Sequence, residues 1–429
     1  MEVIILILSF LILVAIGVPI AWSIGMSSLL TMLMSISALP ALTTVAQRMA
    51  TGLESFSLMA IPFFIIAGHI MNRGGIAKRL VAFAKAIVGS LPGGLTHVNI
   101  IGSMLFGAIS GSAVAAISAL GTMLGPEMEK AGYEKSHSAA ANISAGTMGL
   151  LTPPSNVIIV YSLASGGVSI AALFLAGYIP GLIICLLLML TAIVITRKKN
   201  FPKGDKTSLK LIIKTGIEAL PSLLLLIVVV GGIVAGIFTA TEASAVAVLY
   251  CLILLLIYKE VVVSDLPSII IDSVSTTAIV LLLVSTSMSM SWVLSYENVP
   301  QDLSTFLFSI SDNKYVILFI INLALLLVGI FIDITPAVLI FTPIFLPVVQ
   351  NLGVHPTHFG IMMILNLCIG ICTPPVGSAL FVGVSVAEIT IRQLIRPMLP
   401  FYVALLVALL LVTYIPDVSL LLPRLFGYD

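Results

Sequence analysis

Apolar runs of about 20 residues recur along the chain, separated by short polar stretches. A run of that length is what a helix needs to cross the hydrocarbon core of a bilayer. Val3–Leu39 is too long for one crossing and is interrupted at Gly17-Val-Pro19, so it predicts two. Single crossings are predicted at Phe56–Met71, about Ser136–Leu163, Ser169–Thr196, Ala219–Phe238, Ala243–Tyr258, Ile269–Leu294, Phe359–Val384 and Met398–Ile415. Two more apolar segments carry a small or polar cluster at their middle. These are about Leu95–Pro126, with Ser110-Gly-Ser112, and Tyr315–Pro347, with Asp333-Ile-Thr335-Pro336. A straight helix has no use for such a cluster at membrane depth, so both are predicted to be re-entrant helical hairpins with the clusters at their tips. The opening residues, MEVIILILSF, lack a basic stretch and read as a retained span rather than a cleaved leader.

Composition fits this pattern. Of 429 residues, 60% are apolar and 9% charged, with a net charge of +1. A soluble core could not hide that much apolar surface, and no basic face is available for nucleic acid. A soluble enzyme, a disordered chain and a nucleic-acid binder are excluded. An all-α polytopic membrane protein, with lipid as its main solvent, remains. The four Cys fit no disulfide framework. Cys368 and Cys372, four residues apart, have no His or carboxylate beside them to complete a metal site and read as small core residues.

Charge then orients the spans. With the N-terminus outside, sixteen of the 19 Lys and Arg fall inside, and Arg48, Lys314 and Arg424 fall outside. That bias agrees with the positive-inside rule. It makes the basic linker, residues 197–214, cytoplasmic and places both termini outside. Residues 1–196 and 215–429 each hold five crossings and one hairpin, so the halves are expected to be inverted relative to each other.

The halves also match in sequence. Gly149-Leu-Leu-Thr152-Pro153-Pro154 aligns with Gly370-Ile-Cys-Thr373-Pro374-Pro375 at an offset of 221 residues. The same offset pairs Pro126 with Pro347, Gly132 with Gly353 and His137 with His358, and sets Ser112 opposite Asp333. An inverted repeat with helices interrupted at equivalent places is the architecture of secondary transporters, whose site lies near the midplane. Proline lacks an N–H and disfavours helix at the residue before it, so each Thr-Pro-Pro opens a helix for about a turn. The carbonyls of Gly149, Leu150, Thr152, Gly370, Ile371 and Thr373 are expected to be left bare, and Na⁺ is a hard cation that such oxygens suit. The half-helices starting near Ser155 and Val376 point N-terminal dipoles at the same place, which favours an anion. Ser110, Gly111 and Ser112 at one tip, and Asp333 and Thr335 at the other, are expected to meet these breaks, with Gly329 allowing close backbone approach. Asp333 reads as an ionised carboxylate at depth, or as a cap on the next half-helix.

Other polar residues divide between structural and functional readings. Glu242 suits a first-turn cap or a subunit or substrate contact, and His69 suits an interfacial position. His137 and His358 are expected at the water interface. Arg48, near Glu54, is an exposed cation that an anionic substrate or a partner could meet.

Gly107-Ala-Ile-Ser-Gly-Ser-Ala-Val-Ala115, the paired Thr-Pro-Pro breaks and Gly236-Ile-Phe-Thr-Ala-Thr-Glu242-Ala-Ser-Ala-Val-Ala247 together resemble the large membrane subunit, the DctM type, of tripartite ATP-independent periplasmic (TRAP) transporters. So do Gly17-Val-Pro-Ile-Ala21, Ala60-Ile-Pro-Phe-Phe-Ile-Ile-Ala-Gly68 and Met71-Asn-Arg-Gly-Gly75. The resemblance spans essentially the whole chain, and family members often read Pro-Thr-Glu where this chain has Ala240-Thr-Glu242. It implies Na⁺-driven uptake of an organic acid across a bacterial inner membrane by an elevator fold, in which hairpins and broken helices move against a scaffold. It implies two partners, a separate small four-helix membrane subunit and a periplasmic binding protein. It implies one Na⁺ site at Ser110, Ser112, Gly149, Thr152 and Pro153, and a second at Gly329, Asp333, Gly370, Thr373 and Pro374. The anion pocket is expected at Gly111, Ser112, Asn156, Thr335 and Ser378. The likeness is greatest to sialic acid systems, which makes sialic acid the expected substrate.

Overall fold

The computed structural model describes residues 2–199, 201, 207–258 and 265–428, and among these every regular element is a helix. The chain opens with α1 (Glu2–Ala15) and α2 (Ile20–Ser35), which pack on each other. The turn between them falls at Gly17, whose φ of +87° suits a residue without a side chain, and at Pro19 ahead of the second helix. At 1.5 Å per residue both helices are shorter than a ~30 Å crossing, unlike the two full spans expected. Next come α3 (Ala38–Thr51), a 3-10 turn (Phe56–Met59), α4 (Ala60–Arg73) and α5 (Ile76–Val88). Then α6 (Gly94–Ser110) and α7 (Ala113–Lys130) meet at Gly111-Ser112. A third run breaks into α8 (Lys135–Gly146), α9 (Met148–Leu151) and α10 (Asn156–Ala164), and α11 (Ile170–Lys199) follows.

The later part continues with α12 (Leu209–Val234), α13 (Ala240–Tyr258), α14 (Leu266–Tyr296) and α15 (Val299–Ile310). Helices α16 (Lys314–Phe331) and α17 (Ile334–Asn351) meet at Asp333, and α18 (Pro356–Gly370) is separated from α19 (Ser378–Ala387). Finally come α20 (Ile391–Tyr414) and α21 (Asp417–Leu425).

Among the described residues eight helices are long and apolar enough to cross a membrane, and the bent run from Lys135 to Ala164, which turns by 49°, makes a ninth. The ten expected crossings are therefore not all single long helices. Both arms of the Tyr315–Pro347 segment, α16 and α17, are long enough to cross. Helices α3, α5, α15 and α21 fall where no crossing was expected. In α5 the residues Ile76, Ala77, Leu80, Val81, Ala84 and Val88 are buried while Lys78 and Lys85 are exposed, the pattern of an amphipathic surface helix. The linker is shorter than 197–214, because α11 runs to Lys199 and α12 starts at Leu209. Asn200 and residues 202–206, with Lys203 and Lys206, lie outside the described residues, as do Met1, Asp429 and 259–264 with Lys259.

The outer surface is apolar. Leu182, Leu186, Leu190 and Val194 form an exposed stripe down α11 at a spacing of four, a face suited to lipid rather than water. Ion pairs sit at the helix ends. Arg73–Asp272 (2.8 Å), Lys135–Glu129 (3.6 Å), Lys199–Glu134 (2.6 Å) and Lys85–Glu127 join residues expected on one side, and Arg424–Asp417 (2.5 Å) joins residues expected on the other. Arg48 stacks on Trp292 at 5.4 Å. Glu242 caps α13 by accepting the Thr239 N–H and hydroxyl, both at 2.8 Å.

The centre is built from the broken runs. Residues 137–155 and 357–372 are buried throughout. Helices buried on every side must pair their polar groups internally. Asn366 Nδ2 donates to Asn322 Oδ1 (2.7 Å) and to the Asn322 carbonyl (2.9 Å), and Asn322 Nδ2 donates to Thr413 Oγ1 (3.0 Å). His137 meets the Thr96 hydroxyl (3.2 Å), and His358 meets the Ser419 hydroxyl (2.7 Å). Both histidines are thus buried, at 1% and 2% exposure, and not at the water interface as expected. Tyr133, Phe201 and Phe401 close over His137, and α21 covers His358.

Candidate functional site

Two breaks and two tips come together in the core. In the first break α9 stops at Leu151, Thr152-Pro153-Pro154-Ser155 is non-helical, and α10 restarts at Asn156. In the second, α18 stops at Gly370 and α19 restarts at Ser378, with one more residue between the prolines and the new helix. The Pro153–Pro154 and Pro374–Pro375 bonds are both cis.

The missing proline donors leave bare carbonyls at fewer places than expected. In the first break the Leu150 carbonyl is taken by the Ser155 hydroxyl (2.5 Å). No described donor reaches the carbonyls of Gly149 or Thr152. In the second break Gly370 accepts the Thr373 N–H (2.8 Å), Ile371 accepts the N–H groups of Ala379 (3.1 Å) and Leu380 (3.3 Å), and Thr373 accepts that of Gly377 (3.3 Å). The extra residue lets the start of α19 fold back over Ile371. Of the six carbonyls expected to be bare, Gly149 and Thr152 are, while Leu150, Gly370, Ile371 and Thr373 find protein donors. The Thr152 and Thr373 hydroxyls donate back to Met148 (3.0 Å) and Ile369 (2.7 Å), which leaves their lone pairs free.

The first tip lies over the first break. Gly111 ends α6 with φ +60°, and its N–H bonds the Gly107 carbonyl (2.8 Å). Ser112 caps α7 by accepting the Ala115 N–H (3.2 Å), and the Ser110 hydroxyl leans on the Ser112 carbonyl (3.5 Å). A Cβ on Gly111 would stand 3.6 Å from the Asn156 N–H nitrogen and from the Pro154 carbonyl oxygen. One turn back, Gly107 packs backbone to backbone against Gly149. Asn156 is the first residue of α10, and its Oδ1 is buried without a partner. Ser110, Gly111, Gly149, Thr152 and Pro153 are all buried.

The second tip makes the corresponding contacts in a more open setting. Asp333 starts α17, but its carboxylate makes no cap bond and instead accepts the Ser378 hydroxyl (3.1 Å) at the first residue of α19. One turn back, a Cβ on Gly370 would stand 2.5 Å from the Gly329 Cα. Asp333 is exposed, as are Pro375 and Val376 in the facing break. Pro374 and Ser378 are half-buried, and half-buried Thr335 makes no described hydrogen bond. The groups gathered at the tips and breaks are carbonyl, hydroxyl and carboxylate oxygens, the donors that hard cations take.

Several contributors were not singled out from the sequence. Gly107 packs on Gly149 as Gly329 packs on Gly370, but the two tip glycines are 222 residues apart, one off the repeat offset, so the alignment did not mark Gly107. Gly68 lets α4 touch the Ser110 carbonyl, and Tyr402 donates its hydroxyl to the Cys372 carbonyl. Both act across the fold, where no local pattern marks them.

Comparison with known proteins identifies the family. A family model described as the tripartite ATP-independent periplasmic transporter, DctM component, matches residues 7–418. The chain is 52% identical to the YgiK protein of Salmonella typhimurium, covering 99% of this chain and 98% of that one. It is 40% identical to the sialic acid TRAP transporter large permease protein SiaM of Vibrio cholerae, covering 96% of each. It is 36% identical to the C4-dicarboxylate TRAP transporter large permease protein DctM of Rhodobacter capsulatus, also covering 96% of each. Its fold is similar to that of the YdaH transporter of Alcanivorax borkumensis, with a TM-score of 0.63 at 14% identity over 91% of this chain and 89% of that one. The chain belongs to the DctM family of large membrane subunits of tripartite ATP-independent periplasmic transporters, and it is a transport subunit, not an enzyme.

Proposed function

We propose that this protein imports an organic acid anion across a bacterial inner membrane, driven by Na⁺. The observation that carries the reading is the junction of each tip with a restarted half-helix, Gly111 with Asn156 and Asp333 with Ser378. At the first junction Gly149 and Thr152 keep free carbonyls. A buried acceptor left bare is costly, and a cation carried with the substrate would relieve that cost. Ser110, Ser112, Gly149, Thr152 and Pro153 would hold one Na⁺. Gly329, Asp333, Gly370, Thr373 and Pro374 would hold a second, with the Asp333 carboxylate as its charged ligand. Gly111, Ser112, Asn156, Thr335 and Ser378 would line the anion site between them, where the α10 and α19 dipoles favour negative charge.

The two halves, 1–196 and 215–429, act as inverted repeats. Hairpins 95–126 and 315–347 and broken helices 136–163 and 359–384 form a mobile unit that moves as an elevator against the other helices. The ion pairs support a shared side for their partners, and the excess of Lys and Arg on that side supports a topology with both termini periplasmic and the linker 197–214 cytoplasmic. A periplasmic binding protein delivers the substrate, and a small four-helix membrane subunit, a separate chain, completes the assembly. Each charge crossing with the field gains ~2.3 kcal/mol per 100 mV, so two Na⁺ per monoanion make import electrogenic.

Sialic acid is the first substrate to test, supported by the relative named for it. C4-dicarboxylates are the second, supported in the same way. The experiment is uptake of labelled acid into proteoliposomes holding the chain and its small subunit, with binding protein outside and an imposed Na⁺ gradient. Uptake that needs Na⁺ and binding protein supports the reading. Uptake sustained by K⁺ alone, or by this chain without binding protein, contradicts it.

A further inference from the structure

A groove of about 870 Å³ opens between the C-terminal half of α11 and the N-terminal half of α20, away from both tips. Its walls are apolar, built from Leu187, Leu190 and Val194 on one side and Val403 and Val407 on the other. Its mouth is basic. Lys198, Lys199 and Arg396 stand there against one acid, Glu134, which pairs with Lys199 at 2.6 Å. That leaves Lys198 and Arg396 with no described acidic partner. Pro397 and Pro400 also line the mouth. Neither supplies an N–H, so the carbonyls of Gln393 and Arg396, four residues earlier, lose their helical donors. The mouth therefore offers two cations and two spare acceptors.

Depth narrows the occupant. From Lys199 to Leu187 the α11 axis runs ~18 Å, and from Arg396 to Val407 the α20 axis runs ~17 Å. One leaflet of hydrocarbon is ~15 Å thick. We propose that this groove holds one anionic diacyl phospholipid, its phosphate on Lys198 and Arg396 and an acyl chain along α11 and α20. The headgroup hydroxyls of phosphatidylglycerol suit the two freed carbonyls. Basic mouths on apolar clefts at a membrane surface hold lipid headgroups in this way. A lipid so placed would be carried by α11 and α20, which pack on the broken helices α8 and α18.

The test is native mass spectrometry of the purified full chain in mild detergent, titrated with phosphatidylglycerol or phosphatidylcholine. The expected result is one retained phosphatidylglycerol, preferred about tenfold over phosphatidylcholine. Lys198→Gln with Arg396→Gln should abolish that preference. Val403→Trp, at an exposed position, should fill the groove and displace both lipids with the charges intact. Equal binding of the two lipids, or wild-type binding by both variants, overturns the proposal. So does displacement of the lipid by inorganic phosphate, which would make this a site for a free anion. Photocrosslinking of a small membrane subunit from a benzoylphenylalanine placed at Val194 would give the groove to a protein and overturn it too.

Discussion

Gly149→Ala tests the junction at its tightest point. A Cβ on Gly149 would stand 2.9 Å from the carbonyl carbon and 3.2 Å from the carbonyl oxygen of Gly107, and closer still to the Gly107 Cα. Comfortable carbon contacts are ~3.5–4.0 Å. Everything it meets is backbone, so no flexible side chain can swing aside, and the hairpin must lift off the break. Overpacking of this kind costs about 1–3 kcal/mol. The opposing effect is the better helix propensity of Ala over Gly, at most ~1 kcal/mol, so the clash wins. The apparent Na⁺ affinity of uptake is then expected to fall, by up to about thirtyfold for a net ~2 kcal/mol, with a lower thermal midpoint in detergent. Gly107→Ala should do the same, since its Cβ meets Gly149 backbone in turn. Gly231→Ala is the control. It lies in α12 with nothing within 4 Å of its Cβ and no proline after it, and the change should leave uptake intact and stability equal or ~0.5–1 kcal/mol higher. Wild-type Na⁺ response and stability in Gly149→Ala would refute the close packing of tip on break.

Other substitutions separate ion binding from folding. Asp333→Asn keeps an oxygen for the Ser378 hydroxyl, so thermal stability should change by less than about 1 kcal/mol while the Na⁺ dependence of uptake weakens sharply. Thr152→Val removes the hydroxyl bonded to Met148 at a cost of about 1 kcal/mol, and uptake should need more Na⁺ than wild type. Asn322→Leu strips Asn366 and Thr413 of their shared partner and should cost about 1–3 kcal/mol in thermal unfolding, with Na⁺ selectivity unchanged in what remains.

Much of the fold was legible because lipid imposes simple rules. Long apolar runs marked α11, α12, α13, α14 and α20, and the Thr-Pro-Pro pairs marked both breaks. Helices α3, α5, α15 and α21 escaped because they are short and half polar, resting on the surface of the bundle with no need to cross anything. The breaks themselves were readable, but the fate of their carbonyls was not. Whether the Ile371 oxygen is bare depends on one extra residue before Ser378, and the Cys372 oxygen is satisfied by Tyr402 from another helix. The bond from Ser378 to Asp333 likewise joins residues 45 positions apart, which an apolar run of sequence does not record. His137 and His358 showed the same limit, since their burial comes from Phe201, Phe401 and α21 closing over them.

Binding of radiolabelled Na⁺ to the purified chain measures the central claim most directly. The account predicts saturable binding at two sites, competed by unlabelled Na⁺ and not by K⁺, with one site lost in Asp333→Asn and the other weakened in Thr152→Val. Absence of saturable binding, equal competition by K⁺, or full binding in both variants would contradict it.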